Sequence, residues 1–227
     1  MQNIEKNLKQ IHAQIVQAAQ ACNRAPESVM LLAVSKRKPA GDIRCAWELG
    51  QKNFGENYLQ EAQQKMQELE DLDICWHFIG AIQSNKTRSI AESFDWAHCI
   101  DRVKTAKRLS DQRPPNLAPL NVCIQVNIDH EVSKAGIELA DVPELAKSIH
   151  KLPGIRLRGL MTIPAPSDTF AGQRAAFAQL AAALTSLQQQ GISCDTLSMG
   201  MTQDMDAAIA EGSTLVRIGT AIFGERD

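Results

Sequence analysis

Aromatic residues make up only 4% of the 227-residue chain, with a single tyrosine, Tyr58, so stacking platforms for bases or sugars are scarce. An excess of charge of one sign is missing too. The 24 Lys and Arg against 26 Asp and Glu give 24 − 26 = −2, which leaves no electrostatic footprint for nucleic acid or anionic lipid. No membrane-length apolar run is present: Ala175 to Cys194 is interrupted by Gln179, Gln188, Gln189 and Gln190. The N-terminus carries Glu5, Lys6 and Lys9 where a signal peptide needs unbroken apolar residues. The six cysteines (22, 45, 75, 99, 123 and 194) include no CxxC pair, and the five histidines are spread as thinly, so no metal site is expected. Segments such as Ile74-Cys75-Trp76 and Val122-Cys123-Ile124 read as buried reduced thiols, and a cytoplasmic protein is expected.

Hydrophobic residues at 44% and charged residues at 22% are ordinary for a globular protein and wrong for disorder. Ile4, Leu8, Ile11, Ile15, Ala18 and Cys22 recur at helical spacing. Val29 to Ser35 then forms an unbroken apolar run of strand length, as expected of a strand buried on both faces of a parallel sheet. The two patterns alternate from there. Strands are expected at 53–56, 74–79, 96–100, 120–126, 155–161, 196–199 and 215–218, and helices at 40–49, 59–69, 86–93, 103–110, 142–150, 170–190 and 204–211. Eight strands alternating with helices in a chain of this length suggest an α/β fold: a single (β/α)8 TIM barrel with an additional N-terminal helix, occupying residues 1–227 as one domain. An open doubly wound sheet is the runner-up, but no GxGxxG follows the first strand.

Barrel active sites lie at the C-terminal ends of the strands. There the chain places Ser35-Lys36, Glu56-Asn57, Gly80, Asn127, Met161-Thr162, Ser198 to Thr202, and Arg217 to Thr220. Lys36 is either a solvated surface charge or, inside a barrel mouth beside Arg37, Lys38 and Arg217, an amine whose pKa is depressed by desolvation and like charge, fit for Schiff-base chemistry. The turns after strands seven and eight, with Gly200 and Gly219 and the hydroxyls of Ser198, Thr202 and Thr220, stand where barrels bind phosphate. Arg217 lies in an otherwise apolar strand and needs a partner. That partner is either an internal salt bridge or an unprotonated pyridine nitrogen. His77, between Trp76 and Phe78, reads as a hydrogen-bonded core histidine, Asn57 as a ligand contact or a helix cap, and Ser133-Lys134-Ala135-Gly136 as an exposed structural loop.

At these residues the sequence becomes recognisable. Ala33-Val34-Ser35-Lys36, Phe54-Gly55-Glu56-Asn57-Tyr58, Trp76 to Gly80 with Gln83-Ser84-Asn85-Lys86, Gly159-Leu160-Met161, Leu197 to Met201 and Arg217 to Gly224 closely resemble the pyridoxal-phosphate homeostasis protein family (proline synthetase co-transcribed homologues), in order from about residue 4 onward. The resemblance implies the barrel of the alanine racemase N-terminal domain, with pyridoxal 5'-phosphate held as a reversible Lys36 aldimine. It implies Arg217 at the pyridine nitrogen, and a phosphate cup of Ser198, Gly200, Met201, Thr202, Gly219 and Thr220. It also implies that Asn57 and Met161 line the ring pocket. Serine is usual where this chain has Thr202, and a small hydroxyl residue is common where it has Arg37.

The family is associated with vitamin B6 balance and amino-acid and keto-acid homeostasis, without an established catalytic turnover. A racemase needs acid–base groups on both faces of the substrate Cα. Lys36 serves one face, Tyr58 is the only tyrosine, and a barrel occupying nearly all 227 residues leaves no second domain to supply the other. A non-catalytic cofactor carrier is therefore expected, with no catalytic residues, no metal, apoenzymes that use the cofactor as partners, and a monomeric state. A racemase-like enzyme, or a cofactor-free Schiff-base aldolase binding a sugar phosphate, are the alternatives.

Overall fold

Strands that are apolar on both faces need helices on one side and a packed interior on the other. In the computed structural model, which describes residues 2–129, 131 and 135–225, this is met by closure. The strands β1 (Met30–Val34), β2 (Asn53–Glu56), β3 (Cys75–Phe78), β4 (Trp96–Ile100), β5 (Leu120–Gln125), β6 (Ile155–Met161), β7 (Thr196–Ser198) and β8 (Leu215–Ile218) form a closed barrel in chain order. Neighbouring strands are parallel throughout, and β8 returns to β1 with Met30 opposite Leu215 and Leu32 opposite Arg217.

The connecting helices are α2 (Ala40–Glu48), α3 (Leu59–Glu68), α4 (Thr87–Ser93), α5 (Val103–Gln112), α6 (Val142–Ile149), α7 (Phe170–Gln189) and α8 (Met205–Ala210). Each presents an apolar stripe to the strands, as with Ile90 and Ala91 of α4 or Leu180, Leu184 and Leu187 of α7. Thr169 caps α7, its Oγ1 accepting from the Gly172 N–H at 3.1 Å. The expected barrel with its extra helix is therefore present. The periodicity reading does not foresee the four-residue helix α9 (Thr220–Phe223), which follows β8 after Gly219, or the 3-10 turns at Pro26–Ser28 and Leu139–Asp141.

The N-terminal helix α1 (Gln2–Ala21) joins the first part of the chain to the last. Its buried Ile4, Leu8, Ile11 and Ile15 each contribute roughly 1.5–3 kcal/mol by leaving water. Asn7 Nδ2 donates to Ile222 O at 2.9 Å, and Arg24, just past the helix, donates from Nη1 to Ile209 O at 2.7 Å. Among the described residues no helix is long and apolar enough to cross a membrane. Ser133 and Lys134 lie outside the described residues.

Candidate functional site

A cavity of about 200 Å³ opens at the C-terminal ends of the strands. Of the residues expected at a site, Lys36, Asn57, Met161, Met201, Thr202, Arg217, Gly219 and Thr220 border it. Lys38, Val34 and Ile79 border it too. The signal for these was position alone: Val34 ends β1, Ile79 directly follows β3, and Lys38 lies in the turn that carries Lys36. Ser198 and Gly200 do not border the cavity. Both are buried, and they support it from below.

Lys36 is presented by the turn between β1 and α2. The Lys38 N–H donates to Ser35 O at 3.0 Å, and Arg37 takes the left-handed conformation at φ 60°. That conformation is uncommon for a residue with a Cβ and needs support. The support comes from α3: the Arg37 N–H donates to Glu61 Oε1 at 2.5 Å, and the guanidinium sits 5.7 Å from the Tyr58 ring centroid. Below the turn, Ser35 Oγ donates to Glu56 Oε1 at 2.6 Å. Lys65 Nζ donates to Ser35 O at 2.8 Å, Glu56 Oε1 at 2.8 Å and Glu61 Oε1 at 2.6 Å. Glu56, expected among the strand-end polar groups of the mouth, therefore faces outward against α3. Burial pushes its carboxyl above the usual carboxylate range, and Lys65 pulls it back.

Arg217 is 5% exposed. Its Nη1 donates to Ser198 O at 2.5 Å and Ser198 Oγ at 2.8 Å, and its Nη2 donates to Thr162 O at 2.8 Å. A guanidinium carries five N–H donors. Three are used here, and the Nε–H and one Nη2–H have no partner among the described residues. No carboxylate within ion-pair distance meets it among those residues, so the internal salt bridge is not found. A buried cation without a counter-charge is costly unless a ligand compensates it.

At the other end of the cavity, Gly219, Thr220, Thr202 and Met201 form a polar rim. Gly200, at φ +99°, lets β7 turn beneath that rim. A Cβ there would lie 2.6 Å from the Ala208 Cβ, so only glycine permits α8 to pack so near. The Met201 N–H is already used, donating to Asp204 Oδ1 at 2.5 Å, and burial pushes the Asp204 carboxyl up. Ser198, expected in the phosphate cup, is placed differently. Its side chain points into the barrel, where its hydroxyl meets His98 Nδ1 at 2.9 Å and Arg217.

On the opposite wall Gly80 comes so close to Asn57 that a Cβ would lie 2.1 Å from the Asn57 carbonyl oxygen. This fixes the Asn57 backbone, while its buried Oδ1 lacks a hydrogen-bond partner among the described residues. The cavity thus gathers three cationic side chains (Lys36, Lys38 and Arg217) and two threonine hydroxyls, with the buried, unpartnered Asn57 Oδ1 in its wall. That donor set fits a small planar anion bearing a phosphate, a hydrogen-bonding substituent and an accepting ring nitrogen.

His77 is a core histidine as expected: fully buried, stacked on Trp96 with centroids 5.3 Å apart, and pushed down to about 3 by burial. Among the described residues no group of His, Cys, Asp and Glu is arranged for a metal ion, and the six cysteines are free.

Comparison with known proteins agrees with this geometry. The family described as "Alanine racemase, N-terminal domain" matches residues 6–227. The pyridoxal phosphate homeostasis protein of Pseudomonas aeruginosa is 56% identical over 227 residues, covering 100% of this chain and 97% of that protein. That of Escherichia coli is 53% identical over 230 residues, covering 100% and 98%. Among solved structures, PipY of Synechococcus elongatus with PLP bound superposes with a TM-score of 0.86 at 39% identity, covering 97% of this chain and 100% of that one. The alanine racemase of Corynebacterium glutamicum, at 17% identity and a TM-score of 0.71, shares the fold across 99% of this chain but only 61% of its own. With motifs, barrel and full-length relatives in agreement, the chain belongs to the pyridoxal phosphate homeostasis protein family, within the alanine racemase N-terminal domain group.

Proposed function

We propose that this protein binds pyridoxal 5'-phosphate in the cavity at the barrel mouth and holds it reversibly through Lys36, as a carrier in vitamin B6 and amino-acid and keto-acid homeostasis. The observation that carries the reading is that Lys36, Asn57 and Arg217 share one cavity with the Thr202, Gly219 and Thr220 rim. Relatives more than half identical bear the pyridoxal phosphate homeostasis name, and PipY was solved with PLP bound. When bound, the cofactor supplies an aldehyde that condenses with a primary amine and releases water.

The chain's residues do the rest. The Lys36 Nζ provides that amine, and the buried Arg217 offers N–H donors to the ring nitrogen, which keeps that nitrogen unprotonated and weakens it as an electron sink. Thr202, Thr220 and the Gly219 backbone hold the phosphate. Asn57 Oδ1 accepts from the ring substituent, and Met161 packs against the ring. An unprotonated ring nitrogen suits storage better than turnover, because it does little to stabilise charge at a substrate Cα. Lys36, Lys38 and Arg217 are the titratable side chains that border the cavity, and Tyr58 does not. The second acid–base group for racemisation would have to be Lys38, whose Nζ donates to the Glu225 carbonyl oxygen, and no tyrosine borders the cavity, which favours a carrier over a racemase-like enzyme. The reading treats residues 1–227 as one cofactor-binding domain, cytoplasmic and monomeric, with apoenzymes as recipients.

The test is to incubate the full chain with pyridoxal 5'-phosphate, record the visible spectrum, reduce with borohydride, and locate the adduct by peptide mass. A visible band with the adduct on Lys36, both lost in Lys36→Ala, is expected. A colourless protein would end the cofactor reading. Multiple turnovers of α-deuterium exchange on single-enantiomer amino acids would end the carrier reading in favour of an enzyme.

A further inference from the structure

Beneath the cavity, Arg217 continues into a line of polar groups that cofactor binding does not itself use. Arg217 Nη1 donates to Ser198 Oγ at 2.8 Å, and Ser198 Oγ lies 2.9 Å from His98 Nδ1. His98 Nε2 lies 3.0 Å from His77 Nδ1, and His77 Nε2 lies 3.1 Å from Asn53 Oδ1. The members come from β8, β7, β4, β3 and β2, so the line crosses the barrel interior. Arg217, Ser198, His98 and His77 are buried, three of them completely.

The chemistry of the two ends gives the line a direction. Arginine only donates, so Ser198 Oγ accepts from Arg217 and has its own hydrogen left to give. Its neighbour in that direction is His98 Nδ1, which must then be the unprotonated nitrogen. His98 carries its hydrogen on Nε2 and donates it to His77 Nδ1. His77 carries its hydrogen on Nε2 and donates it to the Asn53 carbonyl oxygen, with Cys75 Sγ also nearby at 3.4 Å. Every donor meets an acceptor only if both rings are neutral and of the Nε2–H tautomer. The opposite direction leaves the Ser198 hydrogen without an acceptor, which is costly in a buried site. Burial independently holds both imidazoles well below their usual range, His98 also through His77 and Arg217.

We propose that His98 and His77 are positioning residues: through Ser198 they fix the plane of the Arg217 guanidinium so that its unused N–H groups meet the cofactor's ring nitrogen. This rests on the cavity being the pyridoxal phosphate site. Without the line, Arg217 keeps its bonds to the Ser198 and Thr162 carbonyls but loses the contact that sets its rotation about them. The ring nitrogen is then less firmly held as an acceptor and takes a proton more readily. A protonated ring withdraws electrons from the conjugated Lys36 nitrogen and lowers the pH at which the visible band titrates.

The test uses the full chain loaded with pyridoxal 5'-phosphate. His98→Phe and Ser198→Ala each break the line at a different point. His98→Gln restores an acceptor toward Ser198 and a donor toward His77. Expected is a visible band whose pH midpoint falls in both breaking variants and returns in His98→Gln, with affinity about tenfold weaker in the former, the loss of roughly one hydrogen bond to a charged group. In parallel, nitrogen-15 spectra of the histidines in wild-type protein are expected to show both rings neutral with hydrogen on Nε2 at pH 7. An Nδ1–H tautomer or an imidazolium at either ring would overturn the proposal without any variant. An unchanged spectrum in folded Ser198→Ala, with a normal wild-type band, would overturn the positioning role and leave the cofactor reading standing. A wild-type protein with no band would overturn both.

Discussion

Lys65→Met should destabilise the folded protein by about 3–5 kcal/mol at pH 7, because it strands a buried carboxylate. The magnitude follows from exposure. Exposed ion pairs are worth about 0–1 kcal/mol, but here the Lys65 and Glu56 side chains are 6% and 0% exposed. Removing the ammonium leaves Glu56 Oε1 with only the Ser35 hydroxyl, while Oε2 already lacks a partner among the described residues. For a chain of this size each kcal/mol moves Tm by about 2–4 °C, so a drop of roughly 6–20 °C is expected. The pH dependence has a definite sign. Burial already raises the Glu56 carboxyl in the folded state, so this group weakens folding as pH rises through the window above the usual carboxylate range. Without Lys65 it rises further, so the defect is largest at pH 7 and shrinks towards pH 5 as Glu56 takes up a proton. Urea denaturation followed by circular dichroism at both pH values, against wild type, measures this. A second variant carrying Glu56→Gln as well should recover most of the loss, since no charge is then stranded. A loss below about 1 kcal/mol, an equal loss at both pH values, or a double variant no better than the single would refute the reasoning.

Asn57→Leu should leave the apoprotein as stable or up to about 1 kcal/mol more stable, because it removes a buried unpartnered oxygen, while weakening pyridoxal 5'-phosphate binding. Thermal unfolding and a cofactor titration read the two effects separately, and a fall in both would point to a packing role instead. Gly200→Ala, with φ +99° and a methyl 2.6 Å from Ala208, should cost about 2 kcal/mol or more in chemical denaturation; a neutral result would show that α8 shifts freely. Burial raises the Cys75 and Cys99 thiols to about 12, so both should resist iodoacetamide at pH 8 in the folded protein and react in urea, as peptide mass spectrometry will show.

The barrel was legible because its physics is periodic. Apolar strands such as 155–161 and amphipathic helices such as 59–69 declare themselves within a residue or two of Ile155–Met161 and Leu59–Glu68. The helix Thr220–Phe223 was not, since four residues hold barely one turn of period. At the site, depth and strand parity both matter. Ser198 and Glu56 both stand at the C-terminal ends of strands, where a shift of one position exchanges inside for outside. Ser198 faces inward, as a phosphate contact requires, and its hydroxyl there meets Arg217, whereas Glu56 faces outward to Lys65 and not into the mouth. His98 gave no usable signal. Its meaning depends on His77 and on Ser198, 100 residues away, and only closure of the barrel brings the three together.

The line from Arg217 to Asn53 also bears on how the protein is made. Its members lie on strands from both the first and the last parts of the chain, and each satisfies a group on another. A nascent chain that has produced β1 to β4 has Asn53, His77 and His98 to meet one another but neither Ser198 nor Arg217, so a half-built barrel would bury His98 Nδ1 without its partner. Such an intermediate is expected to stay open and hydrated until the last strand arrives. Closure is therefore late, and it joins distant segments in one step, which predicts slow folding for the protein's size. Fragments cut between β4 and β5 should be soluble partners for each other only when both are present. The residues that orient the arginine thus also act as an assembly check, completed only when β8 is in place.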